Sequence, residues 1–202
     1  MQRHYFIRDR RIEVEEIEGV AAVRMTRDEQ GRTRRALSAY GRPAGEALRS
    51  AGAAMPDGTQ ASFEKAGWAL VRPGARLREA LSGPIGIAAA AGLDSADEVG
   101  KVVVRAGGAP AILTDLLNVQ LDPELSQDEA EAVLAERGLT ILYKLNLAPN
   151  LYETRAEAWD DAIAASVDLH DDPRFVFAGP ALIEHIPGPA TPAGLAFGEQ
   201  RH

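Results

Sequence analysis

The chain has no cysteine among its 202 residues. Disulfides, thiolate metal sites and cysteine nucleophiles are therefore excluded. Aromatics make up only 5% of the residues, two of them tryptophan. Core or interface packing is the plain reading of both Trp68 and Trp159. No apolar run is long enough to cross a bilayer. The opening MQRHYFIRDRRIEVEE lacks the hydrophobic stretch of a secretory signal, so residence in the cytoplasm or export by another route is expected. Positive charge is also short. Twenty-two Lys and Arg stand against 30 Asp and Glu, for a net charge of −8. This argues against nucleic acid or an anionic membrane as partner, since phosphate binding requires a basic surface. Arg8, Arg10 and Arg11, and later Arg32, Arg34 and Arg35, form the two basic clusters, and both read as solvated loops.

What the chain does have is a 46% hydrophobic content and enough length for one globular domain or two small ones. The first half is irregular. Residues 5–7 and 11–15 alternate like a hairpin with Asp9 and Arg10 in its turn. Residues 20–25 read as a strand and 28–35 as a loop. Residues 43–54 read as a helix with Pro43 in its first turn. Trp68 opens a strand that Pro73 stops. Residues 77–91 are alanine-rich but interrupted by Gly83, Pro84 and Gly86. Residues 99–105 make a strand, followed by a Gly107-Gly108-Ala109-Pro110 hinge.

From residue 112 the pattern is more regular. Residues 112–121 read as one strand, ended by Asp122-Pro123. Ser126 and Glu129 have capping-box spacing, with Ala130, Val133 and Leu134 on one helical face behind them. Gly138 stops the helix. Residues 139–147 and 151–156 read as strands around an Ala148-Pro149-Asn150 turn. Asp160 and Asp161 open a second helix, with Ala162, Ile163 and Val167 toward the core. A last strand begins at Arg174. The expected fold is α+β: a ferredoxin-like split β-α-β module over residues 111–187, an antiparallel sheet with two helices on one face. A less regular α+β module over 1–110 precedes it, with an element order compatible with a degenerate copy. A linker-like tail covers 188–202.

The residues themselves carry little chemistry. Ser126 is a helix cap, and no other serine sits in a nucleophile-elbow pattern. His170, Asp171 and Asp172 lie together at a helix end, where they read as a turn rather than as metal ligands. The glycine-rich spots at 83–86 and 107–108 do not follow phosphate-loop or dinucleotide spacing. No cofactor and no catalytic residue is expected.

One resemblance gives these elements an expected role. Val119-Gln120-Leu121-Asp122-Pro123, the run GLTILYKLNLAPNLY at 138–152, and the closing Asp172, Pro173, Phe175, Phe177, Ala178 and Pro180 resemble the N-terminal prodomain of subtilisin-like serine proteases, the fervidolysin-type branch in particular. The phrases FEKAGWALVRPG and RHYFIRDRRIEVEEIEGVAAVRM, and the tail PATPAGLAFGEQRH, are similar to longer members of that branch. The resemblance implies an intramolecular chaperone and temporary inhibitor, acting on a subtilisin-like protease in cis or in trans. Its sheet would lie on surface helices of the protease. Its tail, residues 182–188, would run through the substrate cleft as an added strand. The implied contact residues are Phe177, Ala178, Pro180, Leu182, Ile183, Glu184, His185 and Ile186.

Two departures accompany the resemblance. Gly179 stands where the family often has an acid, and Glu184 is the nearby acid that could take its place. The sequence also contains no nucleophile motif and no Asp or His catalytic block of the protease, so the chain is not expected to be an enzyme. Two rivals stay open: a non-catalytic ferredoxin-like ligand-binding or oligomerisation module, and an enzyme using an acid pair such as Asp160 and Asp161.

Overall fold

A computed structural model describes residues 2–24, 41–50, 53, 58–75, 77–78, 99–105 and 108–184. The fold is α+β, with two antiparallel sheets and four helices among the described residues.

The first sheet contains β1 (Gln2–Ile7), β2 (Arg10–Arg24), β3 (Gly41–Pro43), β4 (Trp68–Pro73), β5 (Val99–Arg105), β6 (Pro110–Leu113) and β11 (Ile183–Glu184). Its order is β11-β6-β5-β2-β4-β3, with β1 on β2. The 15-residue β2 is the organising strand. Its first part pairs with β1 and its last part with β4, while β5 runs along the other edge. The register of β2 on β5 shifts between Glu16 and Ala21. Gly19 lies within that stretch at φ 72°, a left-handed backbone that glycine adopts without strain. The hairpin turn falls on Arg8 and Asp9, one residue earlier than expected, because Ile7 faces Arg10 across it. The strand expected at residues 20–25 is the far end of β2.

Helices α1 (Gly45–Ser50) and α2 (Thr59–Lys65) cover one face of this sheet. Leu48 and Phe63 there meet Ala22, Leu70, Val102 and Ile112. The helix expected over residues 43–54 is shorter at its start, since Pro43 belongs to β3. The expected loop at 28–35, the hinge residue Gly107 and most of the alanine-rich stretch lie outside the described residues.

The second sheet consists of β7 (Leu116–Leu121), β8 (Leu139–Lys144), β9 (Leu151–Ala156) and β10 (Phe175–Pro180), in the order β10-β7-β9-β8 with every neighbouring pair antiparallel. Helix α3 (Gln127–Glu136) links β7 to β8, and α4 (Ala162–His170) links β9 to β10. Alternation in β7 and β9 buries Leu117, Val119, Leu121, Tyr152 and Ala156 against Ala130 and Leu134 of α3 and Ile163, Ala165 and Leu169 of α4. Val167 is only half-buried, and the inward positions of α4 are Ala162, Ile163, Ala165, Ser166 and Leu169. The same core takes in Tyr5, Val14, Val103, Ala111 and Leu113 of the first sheet, so the two sheets share one interior.

The expected single strand over 112–121 is two strands in different sheets. Thr114 and Asp115 make the break, and both are buried. The Leu116 N–H donates to Thr114 Oγ1 at 3.2 Å. The Ala162 and Ala156 N–H groups donate to the carbonyls of Thr114 and Asp115. The backbone groups freed by the break are thus taken up by the start of α4 and the end of β9.

Both helix caps in this half form as the sequence implies. Ser126 Oγ accepts from the Glu129 N–H, and the Glu129 carboxylate accepts from the Ser126 N–H at 2.8 Å. Ser126→Ala is expected to lower stability by about 1 kcal/mol, read as a drop in the urea midpoint at unchanged slope.

Candidate functional site: the open face of the second sheet

The helices cover one face of the second sheet. Residues directly opposite each other in an antiparallel pair share a face, so the register places every side chain on the other one. Leu116, Arg155 and Thr140 form one row across β7, β9 and β8. Gly179, Asn118, Glu153 and Tyr143 form the next, now including β10. Phe177, Gln120 and Leu151 form the third. The residues of this face on the two central strands are all half-buried, as on a sheet face over which none of the described residues packs.

This face is mixed, with Leu116, Leu151, Phe177 and Tyr143 standing among Asn118, Gln120, Thr140, Glu153 and Arg155. Tyr143 is 65% exposed on it, while Val176, at the register shift in β10, is 49% exposed at the edge of the sheet beside the end of α4. Leu147, in the loop joining β8 to β9, is 87% exposed. Phe177 folds its ring over Gly179: a Cβ added at Gly179 would stand 2.5 Å from Phe177 Cζ. An acid at that position therefore requires the ring to swing aside. Glu153 is the carboxylate this face does carry, half-buried in the row with Gly179 and Tyr143.

The contact residues expected from sequence do not come together on this face. Phe177 lies on it. Ala178 points the other way, into the shared core, and its carbonyl accepts from Ser166 Oγ at 2.7 Å. Pro180 pairs with Leu117 and so also lies on the helix side. Leu182 packs against the shared core and Ile183 against the core of the first sheet. Ile183 and Glu184 form β11, paired with Ile112 and Ala111. Glu184 is bound to Arg105 at 2.8 Å in the first sheet, so it does not stand in for an acid at Gly179. The tail expected to be loose from Leu182 onward is fixed as far as Glu184. His185 and Ile186 lie outside the described residues.

Sequence reasoning missed Tyr143, Leu151 and Glu153 as face residues. For Leu151 and Glu153 the signal was present in the alternation of residues 151–156, which the sequence analysis took simply as a strand.

A second feature lies at the edge of this sheet. A cleft of about 320 Å³ runs between the β1–β2 turn, the end of α4 and strand β10, lined by Phe6, Arg8, His170, Phe175 and Val176 among others. Phe6 and His170 stack in it with ring centroids 3.8 Å apart. His170 and its neighbours do not form a metal site: Asp172 accepts from both Arg174 and Arg137, whose hydrogen bonds and charge hold its carboxyl well below the usual range. Among the described residues no group of three or more His, Asp or Glu is placed to hold a metal ion. No helix among them is long and apolar enough to cross a membrane.

The acid pair of the enzyme rival separates as well. Asp161 is buried at 0% exposure and accepts from Arg3 and from Lys101 Nζ at 3.0 Å. It also caps α4 by accepting from the Ile163 and Ala164 N–H groups. All of its lone pairs are committed, and the group has a structural role.

No family model, curated protein or solved structure matches this chain.

Proposed function

We propose that this chain is a non-catalytic docking protein of the subtilisin-prodomain type. Its second sheet is read as a ferredoxin-like split β-α-β module, whose open face seats on a subtilisin-like serine protease while the residues after Pro180 enter the substrate cleft. What supports the reading is the open face: four antiparallel strands with both connecting helices on one side, and Tyr143, Phe177 and Leu151 on the other, where none of the described residues packs over them. Large half-exposed side chains grouped around a single carboxylate suit a protein partner better than a small-molecule pocket. A folded module that binds the native enzyme both stabilises it and blocks its substrate.

The test is inhibition of a panel of subtilisin-like proteases by the purified chain. Slowed substrate cleavage at micromolar concentration is expected. A chain ending at Pro180 is expected to keep its far-UV circular dichroism and lose inhibition. Full potency of the shortened chain removes the tail from the reading, and no inhibition by the full chain removes the protease.

A second reading is favoured by one observation. Ile183 and Glu184 are hydrogen-bonded into the chain's own first sheet, as in a module with no groove to fill. That reading makes the open face a ligand-binding or self-association surface. It predicts a dimer, or a bound ligand, that depends on Tyr143 and leaves every protease unaffected.

A further inference from the structure

The segment assigned above to a protease groove already has a place to bind within this chain. After Pro180 the backbone passes from one sheet to the other. The Ala181 N–H donates to the Leu116 carbonyl at 2.9 Å, and the Leu182 N–H turns back onto the Pro180 carbonyl at 3.1 Å. Ile183 and Glu184 then lie antiparallel to Ile112 and Ala111. Outside them, Glu184 reaches Arg105 at 2.8 Å, and Arg105 also donates to the Tyr5 hydroxyl at 2.7 Å.

We propose that β11 is an autoinhibitory latch, a two-residue strand that holds the tail on β6 and peels away as a unit before the tail can occupy another molecule's groove. The proposal rests on the docking reading above and adds a step to it. With one edge on β6 and Ile183 packed on the core of the first sheet, the segment cannot at the same time lie inside another molecule's cleft, so the two placements exclude each other.

The two sides of the pairing are held very differently. β11 is an edge strand with two paired positions. The side chains of its ion pair, Arg105 and Glu184, are 43% and 39% exposed, so solvent and salt screen it. β6 is buried along all four residues and paired with β5 at each of them. Releasing β11 therefore costs one short ladder, the Arg105–Glu184 pair and the partial packing of Ile183, and leaves the rest of the first sheet bonded. Short, partly solvated edges of this kind open locally while the global fold persists. The fraction of time the latch is open then scales the apparent affinity for any partner of the tail.

Two measurements test this, and they fail separately. The first uses the unmodified chain. Hydrogen exchange of the one amide of Ile183 and Glu184 that points toward β6 is expected to proceed at least about 100-fold faster than that of the Val102 and Val103 amides in β5, by openings that are insensitive to low urea. Exchange of both groups at the same rate, through global unfolding, overturns the latch whatever the proteases do. The second uses the double variant Ala111→Cys/Glu184→Cys. The chain has no other cysteine, so the disulfide can form in one way only. Opposite positions in an antiparallel pair lie within disulfide reach. This pair also spares Ile112, whose Cγ2 would stand only 2.6 Å from a Cβ at Gly100.

Closing the disulfide is expected to weaken protease inhibition at least tenfold relative to the same protein after reduction. Equal inhibition in the two redox states overturns the latch. Fast local exchange in the natural chain, with no inhibition in either redox state, leaves the release of β11 standing and removes the protease as its partner.

Discussion

Asp161→Ala is expected to destabilise the fold by about 3–5 kcal/mol, the usual result of removing one partner from a buried charge cluster. The variant leaves Arg3 and Lys101 without their shared acceptor and the start of α4 without its cap. Few single substitutions at a polar residue have so large an effect. The cause is the position of Asp161 between β1, β5 and α4, where a lost charge is not replaced by water.

The pH dependence has a definite sign. Burial alone raises the Asp161 carboxyl pKa, but the hydrogen bond and charge of Arg3, together with Lys101, outweigh it and hold the group below its ordinary value. A carboxyl depressed on folding contributes stability above its unfolded pKa of about 3.9 and loses it as pH falls through the folded value. Asp172, depressed chiefly by Arg174, adds to the same slope. Urea midpoints of the natural chain should therefore hold down to about pH 4 and fall below it. The gap between the natural chain and Asp161→Asn should shrink in the same range. A gap that stays constant to the acid unfolding limit would mean that the carboxylate charge is not what holds the three elements together.

Tyr143→Asp and Val176→Asp, on the two outer strands of the sheet, should each weaken protease binding at least about 30-fold, or roughly 2 kcal/mol, the loss expected when a charge replaces an apolar contact of a docking surface. Both side chains are largely solvated in the free protein, so urea midpoints should move by no more than about 0.5 kcal/mol. The contrast between the two readouts is the informative part. A drop in inhibition with stability unchanged assigns the open face to binding, whereas unchanged inhibition by both variants assigns it to ordinary solvated surface. Glu153→Gln, in the same row as Tyr143, tells whether the one carboxylate of the face takes part.

The parts legible in the sequence were those set by local chemistry. The Ser126–Glu129 box formed because both partners lie within one helical turn of each other. The acidic opening of α4 was read correctly as a cap, and the two helices fall where their apolar faces placed them. The break at Thr114–Asp115 was not legible, because residues 112–121 look continuously strand-forming. What separates β6 from β7 is bonding to α4 and β9, which are far away in the sequence. The same holds for the tail. The short string 182–186 reads as a loose end, and only the exposed edge of β6, some 70 residues earlier, gives it a partner. The candidate site was half legible. Alternation marks two faces on every strand, but which face a helix covers depends on the handedness of the connections.

The bond between Arg3 and Asp161 spans 158 positions of the chain. On a ribosome adding about 5–20 residues per second, Arg3 is joined to the chain roughly 8 to 32 seconds before its buried partner. During that interval the hairpin of β1 and β2 has a cation aimed at an empty place, and the first sheet lacks the helix that closes its interior. An arrest of translation before α4 leaves Arg3 and Lys101 without their shared acceptor.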